Sequence, residues 1–177
     1  STNTQSVGES VGKENSAYVL ASIEDTEMDG YHRFEFTLTS NDEDELPEVE
    51  ATLDSSGGNI SIRLDRVTSD QSGIDYQGSL DINTDGILRL YHHVTPVPSE
   101  EVYQIGISED TSFYLHEGED LKVLLDVKYM GTTGTEEVAQ PVKTADEMEF
   151  TTGSVELDDV NTAGDVRFTG YSWSAPP

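Results

Sequence analysis

Apolar residues recur at every second position in short runs along this chain. Phe34, Phe36 and Leu38 alternate with Arg33, Glu35 and Thr37. Ile60, Ile62 and Leu64 alternate with Ser61, Arg63 and Asp65, and Tyr103, Ile105 and Ile107 with Gln104 and Gly106. Leu121, Val123, Leu125 and Val127 alternate with Lys122, Leu124, Asp126 and Lys128. Successive side chains of a strand point to opposite faces, so each set predicts a strand with one face on a core and a mostly polar face in water. Further strands are predicted at 18–24, 48–53, 75–82, 87–94, 112–116, 148–151, 154–158 and 165–173. Gly, Asp, Asn and Pro punctuate them at intervals of roughly ten residues, the rhythm of a sandwich or barrel. No segment has the 3.6-residue period of a helix longer than two turns. The expected fold is all-β, an antiparallel β-sandwich.

The pattern also divides the chain. Residues 1–16 carry almost no apolar side chains and read as a flexible tether, disordered at the N-terminus. Residues 17–129 hold the regular strands and form the sandwich domain. Residues 130–177 form a C-terminal extension with additional strands, packed on the same domain. The stretches Thr68–Gly73 and Gly131–Thr135 are small and polar and read as mobile loops. The opening residues, Ser1 to Ser10, resemble what is left once an export leader is removed; in a bacterial lipoprotein such a stretch follows the lipidated cysteine. No apolar run approaches the roughly 20 residues a spanning helix needs, so no transmembrane segment is expected.

Charge narrows the partners. The 177 residues carry 36 acids against 9 bases, a net charge of −27. Phosphate binding needs basic groups that displace counterions, so nucleic acid is not an expected partner. An anionic membrane surface is disfavoured for the same reason. Cations, basic partners or a salty medium suit the chain better, because ions screen its self-repulsion. Acidity with four lysines suits either adaptation to high salt or an acidic secreted domain. The chain has no cysteine, which removes disulfides, thiolate metal sites and a cysteine nucleophile.

Candidate chemistry centres on Asp81-Ile82-Asn83-Thr84-Asp85-Gly86. Oxygen ligands at alternate positions closed by glycine suit calcium, with side chains from Asp81, Asn83 and Asp85 and the carbonyl of Ile87. His92 stands where an EF-hand has glutamate, and the flanks read as strands, so the segment is not an EF-hand. The competing and favoured reading is a plain β-hairpin, Ser79–Ile82 and Ile87–Leu90 joined through Asn83-Thr84-Asp85-Gly86, with Asp-Gly as the turn signal. The acidic run Asp42–Glu45 with Glu48 is a second cation candidate, although such runs are usually solvated loops. His92 and His93 are adjacent on a strand and point to opposite faces. With His32 and His116 they lack zinc spacing and read as surface or packing residues. There is no Gly-x-Ser-x-Gly elbow and no phosphate-cradling loop. Tyr18, Tyr76, Tyr91, Tyr103, Tyr171 and Trp173 are either half-buried packing residues or sugar-stacking platforms.

Three segments resemble the AMIN-like domain of bacterial exported proteins and lipoproteins over about residues 17–129. They are Asp29-Gly30-Tyr31-His32-Arg33-Phe34-Glu35-Phe36, then Leu46-Pro47 followed by Val49-Glu50, and the closing Leu121-Lys122-Val123-Leu124-Leu125-Asp126-Val127-Lys128. Where that family has Phe-Glu-Gly, this chain reads Val102-Tyr103-Gln104. The resemblance implies a β-sandwich and a non-catalytic envelope role. The expectation is therefore an extracellular or cell-surface module, not an enzyme, that binds cell-wall glycan or another envelope protein. The alternative is a structural subunit of an extracellular fibre or surface layer, self-associating by strand exchange and divalent cations.

Overall fold

The computed structural model describes residues 4–8 and 17–131 and the backbone of a short strand at 155–156. It contains twelve strands: β1 (Thr4–Val7), β2 (Tyr18–Glu27), β3 (Tyr31–Thr39), β4 (Val49–Asp54), β5 (Asn59–Asp65), β6 (Val67–Asp70), β7 (Ser79–Thr84), β8 (Ile87–His93), β9 (Glu100–Ile107), β10 (Phe113–Glu117), β11 (Lys122–Lys128) and β12 (Val155–Glu156). They form a seven-stranded sheet, β12-β1-β4-β5-β9-β8-β7, and a five-stranded sheet, β10-β11-β3-β2-β6. Pairing is antiparallel except for β1 with β12 and β2 with β6. The protein is thus an all-β sandwich. No helix of the described residues is long and apolar enough to cross a membrane.

Period-two alternation builds the core as the sequence predicts. Phe34 and Phe36 of β3 lie opposite Leu125 and Val123 of β11. Ile60 and Ile62 of β5 lie opposite Ile105 and Tyr103 of β9, and Val49 and Ala51 of β4 opposite Leu64 and Ile62. All eleven are fully buried. Phe36 of one sheet meets Tyr103 of the other at a ring separation of 6.0 Å, so the two inner faces interlock across the sandwich.

Two short strands lie where the sequence reads otherwise. Residues 4–7, within the segment read as a tether, form β1. Gln5 and Val7 are buried there, and β1 pairs with β4. The Gln5 amide reaches the opposite sheet: its Nε2 donates to the Phe113 carbonyl at 3.0 Å, and its Oε1 accepts from the Leu115 N–H at 2.7 Å. Those groups lie on the outer side of edge strand β10, and one glutamine satisfies both. A correction concerns Thr68–Gly73, read as a mobile loop: Thr68, Ser69 and Asp70 belong to β6, paired with β2. Arg66, at φ 58°, is the single residue between β5 and β6, and there the chain turns from one sheet into the other. Its left-handed backbone, with Val67 as the one buried apolar anchor, hides this strand from a periodicity reading. The predicted strand at 75–82 begins later, at Ser79. The strands predicted at 148–151 and 165–173 lie outside the described residues.

The polar faces are not uniformly wet either. On β3, β10 and β11, Arg33, His116, Asp126 and Lys128 are buried, although alternation assigns the polar positions of β3 and β11 to solvent. Asp126 accepts from Arg33 Nε and Nη2, both at 2.8 Å, and lies 2.8 Å from His116 Nε2. Register brings Arg33 directly across from Asp126, and this fork-to-fork pairing lets the two charges be buried together.

Candidate functional site

The calcium candidate is a hairpin. Thr84 pairs with Ile87, and the intervening Asp85 and Gly86 have φ of 43° and 90°, the signature of a type I′ turn. Asn83, at φ 52°, sits in an adjoining irregularity of the ladder. Gly86 is required twice over: its φ is positive, and a Cβ would lie 1.8 Å from Met130 Cγ. The turn is tied down by Met130 N–H to the Asp85 carbonyl and Ser108 N–H to the Gly86 carbonyl. Asp81, Asn83 and Asp85 are exposed, and Asp81 lies across the ladder from Arg89; Ile87 is buried.

Among the described residues, three metal-ligating side chains converge elsewhere: Asp70 from the end of β6, His92 from β8 and Glu101 from β9, their ligand atoms within 4.8 Å of one another. His92 Nε2 lies 2.6 Å from Glu101 Oε1 and 3.4 Å from Asp70 Oδ2. His92 Nδ1 faces the Ile74 carbonyl at 2.7 Å, which assigns that nitrogen as the donor. The imidazole is held between Tyr103 (centroids 4.2 Å apart, 12° between planes) and Tyr76 (4.3 Å, 34°). Each carboxylate has a phenol on it. Tyr76 donates to Glu101 Oε2 at 2.8 Å, and Tyr103 donates to Asp70 Oδ2. The Ser72 N–H also donates to Asp70 Oδ1. The Glu101 hydrogen bond, aided by burial, pushes the Tyr76 phenol up to about 12. Burial first, then the Asp70 hydrogen bond, raises that of Tyr103 further.

Sequence reasoning passed over this cluster because its members are far apart in the chain. One signal was present. Glu101 has the same parity as Tyr103, Ile105 and Ile107, so a carboxylate stands at an inward position of β9. His93, by contrast, lies on the outer face near Tyr91, and the two neighbouring histidines do point opposite ways.

The outer face of the seven-stranded sheet carries a shallow groove of about 160 Å³ lined by Gly57, Gly58, Asn59, Arg89, Tyr91, Gln104 and Gly106. Register explains it. Asn59, Gly106 and Arg89 form one cross-strand row, and Ser61, Gln104 and Tyr91 the next. Gly106 leaves a gap in the side-chain layer, over which Arg89 lies; a Cβ there would be 3.1 Å from Arg89 Nη1. A larger depression of about 500 Å³ on the other sheet is lined by Arg33, Glu35, His116, Lys122 and neighbours.

No family model, curated protein or solved structure matches the chain.

Proposed function

We propose that this chain is a non-catalytic extracytoplasmic module that binds neutral cell-wall glycan on the outer face of its seven-stranded sheet. The groove around Tyr91 carries this reading. A tyrosine ring offers a flat apolar surface to the C–H face of a sugar. Asn59 and Gln104 bring amides that both donate and accept, and Arg89 brings donors in a fixed fork, which suits sugar hydroxyls. These groups stand on paired strands, so their spacing is preset and little ordering is required on binding. The AMIN-like resemblance of residues 17–129 points to the same envelope setting. A net charge of −27 repels anionic polymers, which favours uncharged sugar units as the ligand.

Sedimentation with purified cell-wall sacculi tests this. Wild type is expected in the pellet, and Tyr91→Ala and Gln104→Ala in the supernatant while melting as wild type does. Equal sedimentation of all three would remove the groove from the account.

One observation favours a second reading, a fibre or surface-layer subunit. β1 is a short N-terminal strand placed between β4 and β12, the kind of element that exchanges between neighbouring copies. Concentration-dependent oligomers in light scattering support this reading, and a monomer at all concentrations rules it out.

A further inference from the structure

We infer that Asp70, His92 and Glu101 form a site for one divalent transition-metal ion of the zinc class, separate from the glycan groove. His92 carries the argument. Its side chain is 2% exposed, and its Nδ1 is committed to the Ile74 carbonyl. Its other nitrogen therefore points into a space shared with two carboxylate oxygens. That nitrogen and one oxygen of each carboxylate converge within 4.8 Å of one another, the arrangement of three protein ligands around one cation. A divalent cation balances both carboxylate charges.

The distances suit a small ion. Tetrahedral bonds of about 2.1 Å place neighbouring ligand atoms about 3.4 Å apart. The His92–Asp70 separation is already 3.4 Å. The 2.6 Å His92–Glu101 contact has to open by less than about 1 Å, a movement within reach of a glutamate side chain. One imidazole with two carboxylates suits zinc and its neighbours better than calcium, which prefers six to eight oxygens. The surroundings are those of an oriented ligand set. The histidine gives its second N–H to a backbone carbonyl, and each carboxylate accepts a hydrogen bond from outside the trio. Tyr76 is 55% exposed and packs against an imidazole that is almost fully shielded, so a surface ring lies over the site.

Isothermal titration of the chelator-treated 177-residue chain with zinc chloride tests the inference. Wild type is expected to take up one zinc ion per chain. His92→Gln and Glu101→Gln lose that uptake, while Asp81→Asn/Asp85→Asn keeps it. Tyr76→Phe, which retains all three ligand atoms, keeps the stoichiometry, and a cooperative melt of each ligand variant shows that it is folded. Substitution with cobalt gives a second readout, visible absorption of a tetrahedral nitrogen–oxygen site, lost in His92→Gln. No uptake by wild type at millimolar zinc overturns the inference. So does uptake that survives both ligand substitutions, since that is binding to the acidic surface.

Discussion

Asp126 has no exposure to solvent and keeps its charge. Burial alone raises its pKa; the Arg33 hydrogen bonds and the neighbouring His116 overcome this and hold the carboxyl below its ordinary range. Replacing it with asparagine leaves the buried Arg33 guanidinium uncompensated. Asp126→Asn is therefore expected to cost about 3–5 kcal/mol in urea unfolding. The sign of the pH effect follows from the depressed value. The contribution is complete above the unfolded carboxyl's pKa of about 3.9 and is lost as pH falls through the lower folded value. The wild-type stability curve should drop steeply in that acid range, and the Asp126→Asn curve should lack that component; parallel acid limbs would refute the assignment. This residue was not legible in the sequence. Alternation places it on the polar side of β11, and nothing in that strand shows that register puts Arg33 opposite. Glu101 was more legible, because it breaks an inward-facing apolar series.

Strands were legible wherever several apolar residues alternate. β3, β5, β9 and β11 follow their predicted bounds closely, because burying one face of a sheet requires that pattern. β1 and β6 were not legible. Each is four residues long with one buried apolar side chain, and each is held by contacts from distant residues. For β1 the decisive contact is polar. Gln5→Leu keeps the side chain's bulk but leaves the Phe113 carbonyl and the Leu115 N–H without this partner, and is expected to cost about 2–4 kcal/mol. Hydrogen exchange at the Leu115 amide should rise sharply in this variant. Unchanged protection there would mean that β1 does not secure the edge of β10. The hairpin was legible from Asp85-Gly86, since two consecutive positive φ values favour that dipeptide, although Asn83 and Thr84, read as part of the turn, end β7; the candidate metal trio was not legible, since it draws on three strands.

At the scale of the whole molecule, acidity dominates. Three of the four histidines are buried, and each presents Nε2 to a carboxylate: His32 to Asp25 at 2.8 Å, His92 to Glu101 and His116 to Asp126. Arg63 likewise lies among Glu48, Glu50 and Glu100 at 3.5–3.7 Å. Among the described residues, Arg33, Arg63 and Lys122 are thus placed against acids on neighbouring strands. Added potassium chloride should raise the melting temperature, most steeply at low ionic strength, where the Debye length is longest. A melting temperature independent of salt would show that this charge is already balanced within the fold. The proposed recognition of glycan by the outer face of the seven-stranded sheet can be followed by backbone NMR during titration with a soluble uncharged cell-wall oligosaccharide. Glycan recognition there predicts shift changes confined to the amides around Asn59, Arg89, Tyr91, Gln104 and Gly106. Changes centred on the depression at Arg33, His116 and Lys122, or none at all, would contradict it.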